Sequence, residues 1–243
     1  MVEDASGTAA LSFPPALLGD LTDLDDVDAL RSTPAYRHAH AYFVGSGDHP
    51  AYAGSHFERI GHPWWEDATA NTFTPSDLLA LGTLSTPLKK YTAARLLEPN
   101  VLERVTPLLR EISLDSSIAE ESASKALADD SPAAVLYNLV RNVGGMGKTR
   151  TSKLLARKRP GLVPIRDSNV EAAFGGSKLE AWWVPYRTMA LAGEIPPIDL
   201  ASRVHQLLDL SPIYTPLRVL DAILWRSIES PGGDGVDSED EDE

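Results

Sequence analysis

Apolar residues recur at helical spacing through much of the sequence, and this periodicity restricts the fold more than any other feature. In the segment 101–112 they occur at Val101, Leu102, Val105, Leu108, Leu109 and Ile112. Helix-start signals precede such runs at Thr74-Pro75, Asn100, Ser131-Pro132 and Pro216. No series of alternating strands and no internal repeat is present. The sequence therefore predicts an all-α fold, with helices at 78–84, 101–112, 133–143 and 217–228.

Composition excludes several classes of site. The 243 residues include no cysteine, which removes disulfide frameworks, thiolate zinc sites, cysteine-ligated iron–sulfur clusters and a cysteine nucleophile. The length suits one sizeable domain or two small lobes. The acidic start lacks the apolar core of a signal peptide, and no apolar run is long enough to span a membrane. We therefore expect a soluble cytoplasmic protein.

Charge is distributed unevenly along the chain. The formal net charge is -13, and an acidic cluster at 20–28 and the glycine-rich acidic tail at 232–243 contribute to it. These features predict an N-terminal extension at 1–30, a helical domain at 31–230 and a disordered acidic tail at 231–243. The segment 141–166 is basic and lacks Asp and Glu; its cations are Arg141, Lys148, Arg150, Lys153, Arg157, Lys158, Arg159 and Arg166. Such local charge is typical of a phosphate-binding surface, although a solvated helix face has the same pattern.

A glycine turn lies inside this basic segment. Gly147-Lys148-Thr149 matches the end of a nucleotide-binding P-loop, but that motif requires glycine where this chain has Asn142. A P-loop also follows a buried strand, whereas the segment 133–143 has the pattern of a helix. A nucleotide-dependent switch protein therefore ranks behind the two DNA-binding interpretations given below.

A helix-hairpin-helix fits the same residues better. In this motif, the turn Gly145-Met146-Gly147 brings backbone amides and a helix N-terminus close to a DNA phosphate. Glycine is required because a side chain would block that approach. Lys148, Thr149, Arg150 and Lys153 on the following helix, 148–158, complete the predicted DNA-binding set.

The segment 133–174 resembles the glycosylase branch of the helix-hairpin-helix superfamily, in particular its endonuclease III and adenine glycosylase types. Asp167 lies where the aspartate of that branch follows the hairpin, and the spacing needs no gap. Pro164-Ile165-Arg166-Asp167-Ser168-Asn169-Val170 is similar to the I-L-D-G-N-V segment of the adenine glycosylases. The resemblance covers about one sixth of the chain. It implies a two-lobed helical fold with a central cleft, in a divergent branch without an iron–sulfur cluster.

The resemblance implies that Asp167 is catalytic. A carboxylate beside C1′ stabilises the positive charge that develops on the sugar as the base departs, and it can orient water. Asp167 could instead serve only as the N-cap of a helix at 168–174, and the two roles are compatible. Members that also cut the strand carry a lysine where this chain has Thr149, so we expect base release without lyase activity. Lys148 or Lys153 could replace that lysine.

A flipped base requires stacking partners and a few polar groups. The aromatic-rich segment 36–65 and the helix before the hairpin provide candidates for this pocket: Tyr42, Phe43, Trp64, Trp65 and Asn138. Core packing explains each aromatic residue equally well. His38 and His40 would face different directions on a helix, so we expect no metal site, and no cofactor is implied.

The sequence therefore favours a monomeric, monofunctional DNA glycosylase that acts on double-stranded DNA containing a damaged or modified base. The target could be a hypermodified, phage-type cytosine, which would give the protein a role in antiviral defence. The alternative is a non-catalytic helix-hairpin-helix protein that binds DNA and uses Asp167 as a cap alone.

Overall fold

A computed structural model of the chain describes residues 11–45, 51–61, 67–174 and 182–228. Within these ranges the regular secondary structure is entirely helical, which confirms the all-α prediction. The α-helices are α1 (Val27–Ser32), α2 (Pro34–Phe43), α3 (Asp67–Ala70), α4 (Pro75–Ala80), α5 (Lys90–Leu96), α6 (Pro99–Glu111), α7 (Ala123–Ala126), α8 (Pro132–Arg141), α9 (Lys148–Lys158), α10 (Ser168–Ala173), α11 (Trp183–Ala190), α12 (Pro197–Leu207) and α13 (Pro216–Ile228). Short 3-10 helices occur at Pro15–Leu17, Ala53–His56 and Leu81–Leu84.

Most predicted helix starts are confirmed. Thr74 caps α4 in a reciprocal capping box with Asp77, and the Ser131 side chain accepts a hydrogen bond from the amide of Ala134 at the start of α8. The prediction of Asn100 as a cap is wrong. Helix α6 begins at Pro99, two residues before the predicted start at Val101, with Glu98 at the N-cap, because proline fits the first helical position.

Helix α13 lies at the centre of the core and packs against α2, α10 and α12. Its residues from Leu217 to Leu224 are all buried, which is typical of a helix surrounded by others. The buried set on this helix includes two charged residues, Arg218 and Asp221. A charged pair so deep in a core requires partners, and these partners position the candidate site described below.

Part of the predicted N-terminal extension belongs to the folded unit. Leu11, Leu17, Leu21 and Leu30 are buried members of the hydrophobic core. Burial of apolar surface stabilises a folded protein by about 25 cal/mol per Å². The segment 11–30 therefore contributes to the stability of the core. None of the helices in the described ranges combines the length and the apolar character needed to cross a bilayer.

Candidate functional site

The hairpin joins α8 to α9 through residues 142–147. Gly145 adopts a φ of +89°, a conformation that L side chains rarely adopt. A Cβ atom on Gly145 would lie 2.1 Å from the Oγ1 of Thr92 in α5, and the same hydroxyl donates a 2.9 Å hydrogen bond to the carbonyl of Gly144. Two independent constraints therefore require glycine at position 145.

Gly147 differs from Gly145. It lies at the N-cap of α9 with an ordinary φ of -88°, and an added Cβ would meet nothing within 4 Å. No side chain caps this helix, so its first amides retain their hydrogen-bonding capacity toward the open space in front of Gly147. The side chain of Met146, between the two glycines, is buried in the core. Of the predicted tripeptide, Gly147 therefore has the most accessible surroundings.

The basic segment 141–166 divides into two groups that the sequence did not separate. Arg141 is exposed, and Lys148 and Arg150 are half-buried, all three beside the hairpin. The remaining cations are at most 5% exposed: Lys153, Arg157, Lys158, Arg159 and Arg166. The interpretations as a phosphate-binding surface or a solvated helix face therefore apply only to the first group, because the second group is buried and holds the helices together.

Arg157 and Lys158 illustrate this structural role. Both contact the buried carboxylate of Asp77 in α4, and Arg157 also donates hydrogen bonds to the carbonyls of Phe57 and Ile60. Arg159 donates to the carbonyls of Leu109 and Ile112 at the end of α6 and to others nearby. Burial lowers the pKa of Arg159 to about 10. These cations fasten α9 to two neighbouring helices.

Asp167 lies at the N-cap of α10, as its alternative interpretation predicted. Its Oδ1 accepts a 2.9 Å hydrogen bond from the amide of Val170. Its Oδ2 lies 3.7 Å from the Nζ of Lys153, which also donates to the carbonyl of Leu84 at 2.9 Å. The carboxylate is only 9% exposed. The structure thus pairs the candidate carboxylate with a buried ammonium group from the hairpin's second helix.

Two buried side chains fix the backbone just before Asp167. The Ser152 hydroxyl on α9 accepts a hydrogen bond from the amide of Arg166 at 3.0 Å and contacts its carbonyl oxygen at 3.1 Å. The Asp221 carboxylate on α13 accepts from the amide of Ile165 at 3.1 Å. The hairpin helix and the central helix are therefore linked by direct hydrogen bonds to the backbone just before Asp167.

A buried polar network continues from Asp221. Its carboxylate also accepts hydrogen bonds from the Tyr186 hydroxyl and from Arg218, which pairs in turn with Glu58. Burial raises the pKa of Asp221 to about 7, while Arg218, Tyr186 and the amide of Ile165 act in the opposite direction. This network holds the segment before Asp167 against the protein interior.

The predicted pocket residues are not all brought together. Tyr42 is 4% exposed, and burial raises the pKa of its hydroxyl, with Glu58 and Asp167 acting in the same direction and Arg218 in the opposite one. Phe43 packs edge-on against Tyr42. Asn138 is exposed on α8. Trp64 and Trp65 lie outside the described residues.

The sequence matches the profile of a family of unknown function, DUF6308, over residues 35–228. The chain belongs to this family. The matched range extends from the first turn of α2 to the end of α13 and includes the hairpin and Asp167. No curated protein and no solved structure matched the chain.

In this family member, sequence reasoning missed several residues around the site. Trp225 and Tyr52 pack against Tyr42, with ring centroids 6.0 and 5.8 Å away respectively. Arg166 lies over the ring of Trp182 and pairs with Glu171. Trp225 lies within the predicted last helix, 217–228, whose apolar residues the sequence could assign only to packing.

Two surface cavities are found away from Asp167. One of about 130 Å³ lies between Ser117, Gly161 and the starts of α12 and α13, and an apolar groove of about 340 Å³ lies between α4 and α5. Neither contains any of the predicted pocket residues. Among the described residues, no group of three or more His, Asp and Glu side chains is placed to hold a metal ion.

Proposed function

We propose that this protein is a monofunctional DNA glycosylase that hydrolyses an N-glycosidic bond and leaves an abasic site. The observation that carries the proposal is the attachment of the hairpin's second helix to the segment that bears the carboxylate, through Ser152 and Lys153. Ser152 on the hairpin's second helix holds the backbone of Arg166, next to Asp167. DNA bound at Gly147 would therefore be held at a fixed distance from the carboxylate, as an enzyme of this type requires.

The chemistry assigned to Asp167 is electrostatic. Its negative charge would stabilise the oxocarbenium-like sugar as the base departs, and its oxygen would orient the attacking water. The hydrogen bond from Val170 fixes the carboxylate's orientation without neutralising it. Thr149 cannot form an imine with the sugar, which supports base release without strand cleavage.

The proposal requires an opening beside Asp167 when DNA binds. The carboxylate is 9% exposed, and neither cavity described above reaches it. Tyr42, which Asp167 influences electrostatically, and Phe43 are the predicted pocket residues whose movement would admit a flipped base. Their aromatic rings would then stack on that base.

The proposal extends to the setting of the reaction. The DNA would lie in a cleft between two helical lobes of a cytoplasmic monomer, with Asn138 facing it from α8. The target would be a damaged or modified base, and a hypermodified cytosine of phage DNA would make the enzyme part of antiviral defence. A nucleotide-dependent switch is disfavoured, because the glycine turn follows helix α8 rather than a strand.

The test compares three forms of the protein: wild type, Asp167→Asn and Asp129→Asn. Asp129 is an exposed residue before α8, so its substitution controls for the loss of one negative charge. Each form is incubated with duplexes that are unmodified, deaminated, oxidised, alkylated or phage-type modified. Mass spectrometry measures free base, and gels run with and without alkali measure abasic sites and strand breaks.

We expect base release by wild type and Asp129→Asn, and a loss of roughly 10²- to 10⁴-fold in Asp167→Asn. Breaks should appear only after alkali. Breaks without alkali that disappear in Lys153→Arg would show that Lys153 acts as the nucleophile and would overturn the monofunctional assignment. DNA binding without base release from any duplex would favour the non-catalytic alternative.

A further inference from the structure

Helix α5 contacts the hairpin directly. Thr92 donates a hydrogen bond to the carbonyl of Gly144 and closes the space above Gly145. Arg95, one turn further along α5, places its Nη1 2.5 Å from where a Cβ on Gly144 would lie. Lys89, one turn before Thr92, completes a line of residues spaced by three. One face of α5 is therefore continuous with the glycine turn.

This combined surface is strongly positive in a chain whose net charge is -13. The segments 85–97 and 141–150 contain no Asp or Glu and include six cations: Lys89, Lys90, Arg95, Arg141, Lys148 and Arg150. Lys89, Lys90, Arg95 and Arg141 are exposed, and the other two are half-buried.

The six cations also lack carboxylate partners. Among the described residues, no Asp or Glu oxygen lies within ion-pair distance of any of them. This distinguishes them from the buried cations of α9, which are engaged with Asp77 or with backbone carbonyls. Cations without carboxylate partners around an open helix N-terminus suit the negative charge of a nucleic-acid backbone.

We propose that α5 forms the second half of the DNA-binding surface, with Lys89, Lys90 and Arg95 contacting phosphates that flank the one held by the hairpin. The partner is double-stranded DNA. The inference rests on the DNA partner of the proposed function but not on its chemistry, so base release and the α5 contacts can fail separately.

The experiment measures the affinity of the full-length protein for a fluorescent unmodified duplex by anisotropy at several salt concentrations. The test variant is Lys89→Ala/Lys90→Ala. The charge-matched control is Arg110→Ala/Lys125→Ala, which removes two exposed cations elsewhere. Arg110 lies near the end of α9 that is opposite the hairpin. The carbonyl of its neighbour Leu109 accepts a hydrogen bond from Arg159, the C-cap of α9, whereas the hairpin precedes the start of α9. Circular dichroism and urea denaturation verify that both variants fold.

Affinity falls as salt rises, and each lost phosphate contact makes the slope of log affinity against log salt less steep by about one. The steepness should therefore decrease by about one to two in the α5 variant and stay at the wild-type value in the control. Equal slopes in the two variants would overturn the α5 contacts while leaving the hairpin and Asp167 untouched. Wild-type protein without salt-dependent DNA binding would overturn this inference and the proposed function together. If the three proteins show the expected salt slopes but wild type releases no base, the glycosylase assignment alone would be overturned.

Discussion

The Nζ of Lys153 lies 3.7 Å from the Oδ2 of Asp167, and neither side chain is more than 10% exposed. The two residues belong to different helical units, since Lys153 is on α9 and Asp167 begins α10. Their contact joins the hairpin's second helix to the candidate carboxylate by opposite charges, in addition to the hydrogen bonds between Ser152 and the backbone of Arg166. Removal of either partner would leave the other charge largely buried with one opposite charge fewer beside it.

This pair should behave as a coupled unit in a double-mutant cycle. We expect Lys153→Met to lower the free energy of unfolding by about 3–5 kcal/mol, because it removes the counter-charge of the buried Asp167 carboxylate and the donor to the carbonyl of Leu84. The double variant Lys153→Met/Asp167→Asn should be more stable than the sum of the single changes predicts, by about 0.5–3 kcal/mol. Urea denaturation measures all four proteins. Additive effects would mean that the two charges do not interact.

At position 167, asparagine should destabilise the protein less than alanine does. Asparagine retains an oxygen that can accept from the amide of Val170, whereas alanine removes the cap of α10. We expect Asp167→Ala to be less stable than Asp167→Asn by about 0.5–2 kcal/mol. Thermal or urea unfolding checks this difference, and the Asp129→Asn variant provides the reference. Equal stability of Asn and Ala would show that the cap contributes nothing.

Substitution by alanine should affect Gly145 and Gly147 differently. Gly145→Ala forces a side chain into a left-handed conformation and against Thr92. We therefore expect the free energy of unfolding to fall by about 1–2 kcal/mol or more. Gly147→Ala places a methyl group in open space and should change stability by less than about 1 kcal/mol. Its effect should appear in DNA affinity instead, since the methyl group blocks phosphate approach. A strongly destabilised Gly147→Ala would contradict this assignment.

Asp77 should be among the most sensitive positions for stability. Its carboxylate is fully buried, pairs with Arg157 and Lys158, and closes the capping box of α4. Asp77→Asn leaves two buried cations short of a counter-charge, and we expect a cost of about 3–5 kcal/mol. The exposed Asp199→Asn on α12 serves as the control and should lie within about 0.5 kcal/mol of wild type. A mild Asp77→Asn would indicate that backbone carbonyls alone satisfy both cations.

Asp221 should make stability depend on pH in an unusual direction. Its pKa rises from 3.8 to about 7 on folding, so between these values the folded protein retains a proton that the unfolded chain releases. Its contribution is fully present below about pH 4 and is lost as the pH rises through about 7. Relative to Asp221→Asn, wild type should therefore lose about 2 kcal/mol between pH 5 and pH 7.5, as measured by urea denaturation. A gain over this range would mean that Arg218 outweighs burial.

Local signals were sufficient for much of the fold. Ser131, Pro216 and the Thr74 capping box each marked a helix start through interactions within one turn, and those starts are confirmed. The N-cap position of Asp167 was also readable, because a cap depends on residues three positions away. Asn100 failed because Pro99 is an equally good helix starter and precedes it.

Long-range pairing was not readable from the sequence. Arg157 and Lys158 look like surface cations in the sequence, yet their partner Asp77 lies about 80 positions away. Thr92 was not singled out at all, since an isolated threonine carries no sign that it will close a distant glycine turn. For this reason the sequence did not reveal that five of the cations in the segment 141–166 are buried. Charge patterns along a sequence do not show which cations meet carboxylates after folding.

The hydrogen bond from Thr92 to Gly144 spans 52 positions. The turn therefore depends on tertiary structure as well as on the local hydrogen bonds from the amides of Val143 and Met146. A peptide of residues 133–158, or the same segment grafted onto another helical scaffold, would keep those local bonds but lack the hydroxyl of Thr92. Transfer of the motif to another protein would therefore require a residue that replaces Thr92 as well as the hairpin itself.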